Sequence, residues 1–305
     1  MPIKIQSDLP ARLTLENENI FVMTENRAES QDIRPLKIAI VNLMPTKIAT
    51  ETQLLRLLGN TPLQVEISLV RMASHESTHI GLDHLEKFYT TWEKISKEKF
   101  DGMIITGAPV EQLPFEKVDY WNELCRIMDY AKTNVFSTLY ICWGAQAGLY
   151  HNFGIPKKML EKKLFGIYPN RASTWADPLL RGFDDQFFVP QSRYSTVEKK
   201  DLEAVKELEI LAESEEAGVL LVKTRDNREV FITGHLEYDS NTLGDEYWRD
   251  IKKGLKIDIP YNYYPDNNPD NPPPSKWRST AHLFFSNWLN YYVYQDTPFD
   301  VMEIK

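Results

Sequence analysis

The feature that most constrains the fold of this chain is a regular alternation of short apolar runs with helical patterns in its first half. The apolar runs have the length and composition of buried strands, and they are residues 37–44, 65–72 and 102–105. The helical patterns between and after them are residues 47–58, residues 82–97 and a stripe of Val118, Trp121, Leu124 and Met128. This alternation predicts a doubly wound α/β fold with a mainly parallel sheet, whose functional sites form at the carboxyl ends of strands.

Cys142 stands between a strand-like run at residues 137–141 and a helical pattern at residues 145–153. A cysteine at such a turn carries its sulfur at the amino end of the helix, where N–H groups favour the thiolate and can hold an oxyanion. Gly144 suits a tight turn because it has no Cβ atom. Taken alone, Cys142 fits a nucleophile and a buried core thiol equally well.

A histidine and a glutamate follow a later predicted strand. Residues 230–233 have the pattern of a buried strand that ends at Gly234, and His235 and Glu237 come directly after it. In extended chain these two side chains face the same side, so the carboxylate can orient the imidazole. Each alone has an ordinary alternative, a satisfied histidine at a strand end or a solvated loop charge. Together with Cys142 they predict a Cys-His-Glu triad.

Composition argues against several classes of function. The 305 residues contain 35 Lys and Arg against 44 Asp and Glu, and the net charge of −9 argues against a nucleic-acid surface. No window approaches the roughly 18 apolar residues of a membrane span, and residues 1–30 lack the pattern of a secretory signal. The two cysteines do not make a disulfide framework, and Cys125 falls on the apolar face of a helix. We therefore expect a cytoplasmic protein.

The second half of the chain is richer in strands. The strand-like runs are residues 187–189, 208–212, 218–223 and 230–233, and a helix is predicted near residues 242–255. The Asn/Pro-rich stretch that follows should be an ordered surface loop. The final helix behind it has too much aromatic surface to stand alone, so it should pack on the main domain or on a second subunit, and we expect a homodimer.

These patterns predict a single domain over residues 1–305. It consists of an extension at residues 1–34, a catalytic core at residues 35–257, and the loop and aromatic helix at residues 258–305.

The run from His75 to His79 matches the H-E-x-x-H pattern of zinc sites, and His84 follows it. Zinc binding needs both histidines one turn apart on a helix. This run directly follows a predicted strand and contains Ser77 and Thr78, so we expect a loop there and no metal site.

Around Cys142 and His235 the sequence resembles the class I glutamine-amidotransferase superfamily. Its Cys142-Trp-Gly-Ala-Gln146 and His235-Leu-Glu237 match the Cys-x-Gly-x-Gln and His-x-Glu motifs, although Tyr140 stands where those enzymes usually carry glycine. Over essentially all 305 residues the chain is more similar to the homoserine O-acyltransferase family of methionine biosynthesis, in its amidotransferase-like branch. The further shared motifs are Asn42-Leu-Met-Pro-Thr-Lys47, Thr106-Gly-Ala-Pro-Val-Glu111, Phe165-Gly-Ile-Tyr168, Pro190-Gln-Ser-Arg-Tyr194 and Gly234-His-Leu-Glu-Tyr238.

This resemblance implies a ping-pong acyl transfer that uses an acyl-CoA as co-substrate and no cofactor. Cys142 would take the acyl group, and His235 would then act as general base on the hydroxyl of L-homoserine. The candidates for the oxyanion hole are the backbone N–H groups of Trp143, Gly107 and Ala108.

For homoserine, the resemblance points to Lys163, Ser192 and Arg249. Arg249 supplies a bidentate cation for the carboxylate of the amino acid. Glu246 lies three residues earlier on the same helical face and is the candidate for its ammonium group. Without the resemblance, Glu246 and Arg249 would be interpreted as a surface ion pair, and Lys163 as part of a solvated basic stretch. Lys47 remains unassigned.

The resemblance also indicates which residue selects the acyl group. Glu111 stands where succinyl-using relatives carry a glycine, and its bulk and charge oppose the distal carboxylate of succinate, which favours acetyl-CoA. The alternative is that Glu111 is only a charge at a helix start. The rival functions are a homoserine O-succinyltransferase, a glutamine amidotransferase or cysteine hydrolase with the same triad, and a catalytically inactive binding module.

Overall fold

The computed structural model describes residues 3–4, 6, 8–18, 22–23, 34–75, 82–174, 176–298 and 300–304. Its strands are β1 (Ile3–Lys4), β2 (Val22–Met23), β3 (Leu36–Val41), β4 (Val65–Arg71), β5 (Tyr89–Thr91), β6 (Phe100–Ile105), β7 (Val135–Ile141), β8 (Lys158–Ala172), β9 (Phe187–Thr196), β10 (Leu208–Ser214), β11 (Gly218–Thr224) and β12 (Glu229–Ile232). Its α-helices are α1 (Ala11–Asn17), α2 (Lys47–Leu58), α3 (Leu82–Phe88), α4 (Trp92–Ile95), α5 (Trp121–Asn134), α6 (Trp143–Phe153), α7 (Lys199–Glu203), α8 (Thr242–Lys252) and α9 (Arg278–Asn287). A π-helix at Trp288–Tyr294 continues α9. Single 3₁₀ turns lie at Phe115–Lys117, Pro178–Leu180, Pro265–Asn267 and Val301–Glu303.

The described strands join one sheet. Its order is β2-β1-β4-β3-β6-β7-β12-β11-β10-β8-β9, and β5 pairs with β4. The pairs from β2 to β12, and the pair of β4 with β5, are parallel. The strands from β12 to β9 pair antiparallel. This confirms the predicted α/β fold with a mainly parallel sheet, and the strand-rich second half forms its antiparallel side.

The order in which the chain adds strands to the sheet reverses between β3 and β6. The chain adds β4 on one side of β3 and then β6 and β7 on the other, and the carboxyl ends of strands leave a crevice at such a point. The hydroxyl of Thr106 ties the two loops there together, because it accepts the N–H of Leu43 at 2.8 Å. Cys142 follows β7 and His235 follows β12, so both residues lie at this edge of the sheet.

A hydrophobic layer covers each face of the sheet. Ile38 and Ile40 of β3 pack in the layer that contains the aromatic residues of α9 and the π-helix. Ala39 and Val41 point to the layer that contains residues of α5 and α6, as the period of two in a strand requires. Four aromatic side chains of α9 and the π-helix are at most 1 % exposed, and they are Phe284, Phe285, Trp288 and Tyr292. The final helix therefore packs on the sheet of its own chain.

One predicted helix is wrong. Residues 82–97 do not form a continuous helix, because the chain leaves α3 at Phe88 and pairs as β5 with β4, with Thr90 opposite Val70. Tyr89, Thr90 and Thr91 are aromatic or β-branched residues, which favour a strand over a helix. The sequence pattern also gave no indication of the full length of β8, whose first residues are the basic stretch that ends at Lys163.

The Asn/Pro-rich stretch is bonded to β8. The N–H of Tyr261 donates to the carbonyl of Phe165 at 2.9 Å, and the N–H of Ile167 donates to the carbonyl of Tyr261 at 2.8 Å. Lys276 closes the far end of this loop, since its Nζ lies 2.7 Å from Oδ1 of Asn262. The stretch is thus an ordered loop held against the sheet.

The zinc-like pattern falls partly outside the described residues, which omit residues 76–81. Nδ1 of His75 contacts Oδ2 of Asp119 at 2.6 Å, and Nε2 of His84 contacts Oε1 of Glu51 at 3.1 Å. Where the structure describes the chain, it groups no three His, Cys, Asp or Glu side chains as metal ligands. Nor does this part of the chain contain a helix with the length and apolar character needed to cross a membrane.

Candidate active site

Cys142 occupies a strained elbow between β7 and α6. Its φ of 51° and ψ of −113° lie in a region that residues with side chains rarely adopt. Close packing behind the elbow explains Gly144, because a Cβ there would lie 2.6 Å from the carbonyl oxygen of Thr106 and 2.8 Å from that of Ile105. The elbow places Cys142 at the amino end of α6.

The structure brings the three residues of the predicted triad together. Nδ1 of His235 lies 2.7 Å from Oε1 of Glu237, and the imidazole interacts electrostatically with Cys142. Gly107 lies against both partners: a Cβ on it would lie 3.3 Å from Cβ of Cys142 and 3.5 Å from Cε1 of His235. The bond from Nδ1 to the carboxylate leaves Nε2 of His235 for the thiol.

The charges around His235 favour its protonated form. Burial opposes protonation, but the negative charges of Cys142 and Glu237 and the hydrogen bond to Glu237 raise the pKa of His235 well above its ordinary value. An imidazole with a raised pKa retains a proton taken from the thiol, so the pair can exist as thiolate and imidazolium. The ring of Tyr238 stacks on the imidazole with centroids 4.0 Å apart, which fixes the plane of the ring.

The three residues predicted to supply the oxyanion hole lie in the segments next to Cys142. Trp143 is the first residue of α6, and Gly107 and Ala108 follow β6, which pairs with β7. Among the residues described, none of these N–H groups donates to another protein atom. They are therefore available to an oxyanion that develops beside the sulfur. Ala108 and Trp143 line the cleft above Cys142, whereas Gly107 lies behind it.

A cleft of about 1230 Å³ opens over Cys142. Toward α8 it is lined by Glu111, Ser192, Glu246 and Arg249. Its other end is lined by Glu18, Arg56, Arg278 and His282. The predicted nucleophile thus lies in a space that can hold a substrate much larger than an amino acid.

The side chains predicted to bind homoserine form one charged cluster. Nζ of Lys163 lies 2.7 Å from Oε1 of Glu246 and 3.4 Å from Oδ2 of Asp250. The hydroxyl of Ser192 donates to Oε2 of Glu246 at 2.8 Å. Arg249 contacts Oδ1 of Asp250 at 2.7 Å and Oε1 of Glu246 at 3.4 Å. Two cations and two carboxylates therefore balance within the cluster.

Lys163 lies behind this cluster and not at its surface. Its side chain is only 8 % exposed, so it is not part of a solvated basic stretch, and it does not line the cleft. Glu246 and Arg249 do line the cleft. Lys163 thus holds Glu246 in position from within the protein.

Sequence reasoning missed Asp250, the second carboxylate of the cluster. It is 5 % exposed and belongs to the buried side of α8 with Leu243 and Tyr247. A charged residue in the apolar stripe of an amphipathic helix was the available signal.

Glu111 lies at the cleft, close to the charged cluster. Burial raises the pKa of this carboxyl group above its ordinary value, Lys163 lowers it, and Glu246 raises it. Its backbone carbonyl accepts a hydrogen bond from Nζ of Lys157 at 2.6 Å, which holds the loop in place. Glu111 is therefore not a charge at the start of a helix.

A buried arginine beneath the cleft was also missed. Arg193 is 1 % exposed and donates to Oε1 of Gln191 at 3.1 Å, to the carbonyl of Ser195 at 2.6 Å and to the carbonyl of Ala217 at 2.7 Å. Gln191, Arg193 and Ser195 alternate on the buried side of β9, where apolar residues are expected. That polar alternation was the signal in the sequence.

The partners of Arg193 are all neutral. Burial lowers the pKa of its guanidinium to about 10, and the negative charges that Cys142 and Tyr168 can carry act in the opposite direction. The same network reaches the elbow, because the hydroxyl of Ser195 donates to Oε1 of Gln146, in the first turn of α6, at 2.6 Å. Arg193 thus supplies positive charge near Cys142.

Lys47 does not line the cleft. Its Nζ donates to the carbonyls of Asn42 at 2.7 Å and Met44 at 3.3 Å, and burial lowers its pKa to about 8. It supports the loop after β3.

Comparison with known proteins shows what this chain resembles. The family model described as homoserine O-succinyltransferase matches residues 2–299. The homoserine O-acetyltransferase of Acetivibrio thermocellus is 60 % identical over 305 residues, which cover 100 % of both chains. That of Petrotoga mobilis is 58 % identical over 304 residues, which cover 100 % of this chain and 98 % of the other.

The fold also occurs in a solved structure of a glutamine amido transferase from Methylobacillus flagellatus. That structure has a TM-score of 0.51 and 10 % identity, and the match covers 85 % of this chain and 95 % of the other. At this identity the likeness concerns the fold alone. Because the family model spans nearly the whole sequence, the chain belongs to the homoserine O-succinyltransferase family, the homoserine O-acyltransferases that its motifs resemble.

Proposed function

We propose that this protein transfers an acetyl group from acetyl-CoA to the hydroxyl of L-homoserine, giving O-acetyl-L-homoserine and CoA. The observation that carries the proposal is the contact of Cys142, His235 and Glu237 in a chain that is 60 % identical over its whole length to a homoserine O-acetyltransferase. The reaction needs no cofactor beyond the co-substrate. Both cysteines are free thiols, which suits a reducing compartment, and we propose the cytoplasm.

In the first half-reaction the thiolate of Cys142 attacks the carbonyl carbon of the thioester. The oxyanion of the tetrahedral intermediate accepts hydrogen bonds from the N–H groups of Trp143 and Ala108. Collapse of the intermediate breaks the bond to the sulfur of CoA, which leaves with the proton that His235 holds. The acetyl group remains on Cys142 as a thioester.

In the second half-reaction His235 takes the proton of the homoserine hydroxyl while its oxygen attacks the acetyl carbon. Glu237 stabilises the imidazolium that forms. The Cys142 thiolate leaves, and the enzyme returns to its starting state.

The charged cluster suits a zwitterionic acceptor. Arg249 can bind the carboxylate of homoserine and Glu246 its ammonium, while Ser192 and Lys163 position Glu246. A ligand without net charge does not disturb the balance between the two cations and two carboxylates of the cluster. Binding therefore does not leave a buried charge uncompensated.

The acetyl donor is supported by Glu111 and by the names of the most similar relatives. A carboxylate at the cleft repels the distal carboxylate of succinate, and its bulk limits the space for a longer acyl group. The second candidate is transfer of a succinyl group, which the description of the family model favours. The two donors are distinguished by their kcat/KM values with homoserine as acceptor.

The test is the intact mass of the protein after incubation with acetyl-CoA alone. The wild type should gain one acetyl group on Cys142 and release one equivalent of CoA, and addition of homoserine should remove the label. Cys142→Ala should lose label and activity, whereas Cys125→Ala is the matched control and should keep both, because burial raises the pKa of that thiol to about 11.

His235→Ala should label about 10²–10⁴-fold more slowly than the wild type, the usual contribution of a positioned base. Label retained in Cys142→Ala would refute the assignment of the nucleophile. Rapid loss of the label to water without homoserine would indicate a hydrolase, and release of ammonia from glutamine an amidotransferase.

A further inference from the structure

The cleft extends well beyond the space that homoserine and an acetyl group need. Its volume of about 1230 Å³ is above the range of roughly 300–1,000 Å³ that is typical of small-molecule sites. From Cys142 it continues to a second charged end at Arg56, Arg278 and His282. The proposed reaction has one substrate large enough to occupy both ends, the acyl-CoA.

An uncharged wall connects the two ends. It is formed by α2 and the residue before it, where the uncharged lining residues are Thr46, Ala49, Thr50, Gln53 and Leu57, and Arg56 of the same helix lies at its far end. α2 has 12 residues, so this wall is about 18 Å long. Such a surface suits a long neutral chain that carries amide groups.

The far end of the cleft holds a cation that has no bonded partner among the described residues, although Glu18 interacts with it electrostatically. Arg56 is paired, because its Nη1 lies 2.7 Å from Oδ1 of Asp239 and its Nη2 lies 2.7 Å from Oε1 of Glu18. Arg278 is exposed at the cleft and forms no ion pair or hydrogen bond with the described part of the chain. It is the first residue of α9, where the helix dipole adds further positive potential.

His282 lies one turn after Arg278 on the same face of α9. Its Nδ1 is buried and has no hydrogen-bond partner among the described residues. Burial and the positive charges of Arg56 and Arg278 lower the pKa of His282, while Glu18 acts in the opposite direction. This nitrogen therefore has no hydrogen-bond partner within the described part of the chain.

The other cations at the cleft are already engaged. Arg249 is paired with Glu246 and Asp250, and Arg193 is buried with three carbonyl oxygens as partners. Glu18 and Asp239 face the far end of the cleft, but both contact Arg56. Arg278 with His282 is the place along the described cleft where an added anion meets unpaired donors.

We infer that Arg278 and His282 bind the phosphate-bearing end of the acyl-CoA. The uncharged pantetheine arm then lies along the wall of α2, and the thioester reaches Cys142. Phosphate oxygens accept hydrogen bonds from the guanidinium and from the N–H of the imidazole. This inference rests on the proposed function, since it assigns the acyl donor of that reaction to a subsite.

The test compares two acetyl donors that share the thioester and the arm. Acetyl-CoA carries the nucleotide phosphates, and acetyl-pantetheine carries none. In Arg278→Ala the kcat/KM for acetyl-CoA relative to that for acetyl-pantetheine should fall about tenfold, because one charge-assisted contact is lost. His282→Phe should act in the same direction. The matched control is Lys276→Ala, a nearby cation that contacts Asn262 and does not line the cleft; it should leave the ratio unchanged.

A binding measurement keeps this inference separate from the proposed function. Free CoA should bind wild type more tightly than Arg278→Ala by about the same factor in isothermal titration, and added salt should reduce the difference. Equal losses for both donors, or equal affinity of wild type and variant for CoA, would show that the phosphates bind elsewhere. Binding of CoA that depends on Arg278, without transfer to homoserine, would instead contradict the proposed acceptor and leave the subsite in place.

Discussion

Arg193 is a positive charge that is buried without a carboxylate partner among the described residues. Three neutral oxygens satisfy its donors, but hydrogen bonds to neutral groups do not replace the hydration of a charge. Of the nearby groups that can carry a compensating negative charge, Cys142 is the one that takes part in the proposed reaction. The negative charge that Cys142 can carry therefore offsets part of the cost of burying the arginine.

Arg193→Met should lower kcat/KM by roughly 10²-fold, the effect of removing one electrostatic contribution to a reacting anion. The diagnostic measurement is the rate at which iodoacetamide alkylates Cys142 as a function of pH, because only the thiolate reacts. In the methionine variant this profile should move to higher pH, and Arg193→Lys should move it less because it keeps the charge. A methionine variant that loses activity with an unchanged alkylation profile would leave Arg193 a purely structural role.

Glu111 gives a prediction on acyl specificity and pH. Its pKa is raised by burial, so on acidification this carboxylate takes up its proton at a higher pH than an ordinary glutamate would. Below that pH the repulsion of succinate is lost while the bulk of the side chain remains. The kcat/KM of succinyl-CoA relative to acetyl-CoA should therefore rise as the pH falls, and taking the ratio removes the common titration of the triad.

Two variants separate charge from bulk at this position. Glu111→Gln should abolish the pH dependence of the donor ratio, and Glu111→Gly should increase the relative use of succinyl-CoA further because it also opens space. Equal kcat/KM values for the two donors in the wild type would contradict a role of Glu111 in specificity.

The sequence predicted correctly that two residues would meet when each of them directly follows the end of a strand. Cys142 and His235 follow neighbouring parallel strands, so local patterns were enough to bring them to one edge of the sheet. Arg193 and Asp250 were missed because their roles depend on the packing of β9 and α8 over the site. No local pattern states which buried polar residue will lie against which cleft.

At the level of elements, the link between β7 and α6 determines the site. The elbow holds Cys142 in a strained conformation, which persists only because the surroundings fix it. Gly144 packs against the backbone at the end of β6, since a Cβ on it would lie 2.6 Å from the carbonyl oxygen of Thr106. The position of the nucleophile thus depends on contact between two neighbouring strand ends.

Gly144→Ala should displace the elbow, because the added Cβ would lie 2.6 Å and 2.8 Å from two backbone oxygens that cannot move as a side chain does. We expect kcat/KM to fall at least tenfold and the protein to be destabilised by about 1–3 kcal/mol. Acetylation of Cys142 and urea denaturation measure the two effects. Gly154→Ala is the control at the other end of α6, where no atom of the described residues lies within 4 Å of the added Cβ, although its φ of 69° predicts a smaller loss of stability. Full activity of Gly144→Ala would disprove the need for this contact.

The helices and strands were predicted correctly from the sequence where local and tertiary preferences agree. The predicted helix at residues 47–58 has the bounds of α2, since its pattern serves the core on one side and the cleft on the other. The prediction of a helix over residues 82–97 failed because β5 forms by pairing with β4, which is an interaction between distant segments. Propensity at Tyr89 and Thr90 pointed to a strand, but the surrounding helical pattern concealed it.

For the molecule as a whole, the carboxyl-terminal segment completes the core and also reaches the site. Trp288 packs on the sheet, with its ring about 3.1 Å from where a Cβ on Gly102 would lie, and its Nε1 donates to the hydroxyl of Ser137 at 3.1 Å. Nε1 of Trp277 donates to the carbonyl of Tyr238 at 2.9 Å. Tyr238 in turn stacks on His235. The end of the chain therefore supports the loop that carries the proposed base.

Trp288→Ala should reduce the free energy of unfolding by about 3–5 kcal/mol, because it leaves a cavity in the core and an unpaired hydroxyl on Ser137. Urea denaturation measures this change, and Trp248→Ala is the control, since that indole is 40 % exposed and its loss should cost far less. If the final helix is part of the same cooperative unit as the sheet, far-UV circular dichroism and the reactivity of Cys142 should change at one urea concentration in the Trp288 variant. A separate early transition that frees the final helix while Cys142 keeps its native reactivity would contradict this, because the sheet and the site would then be stable without it.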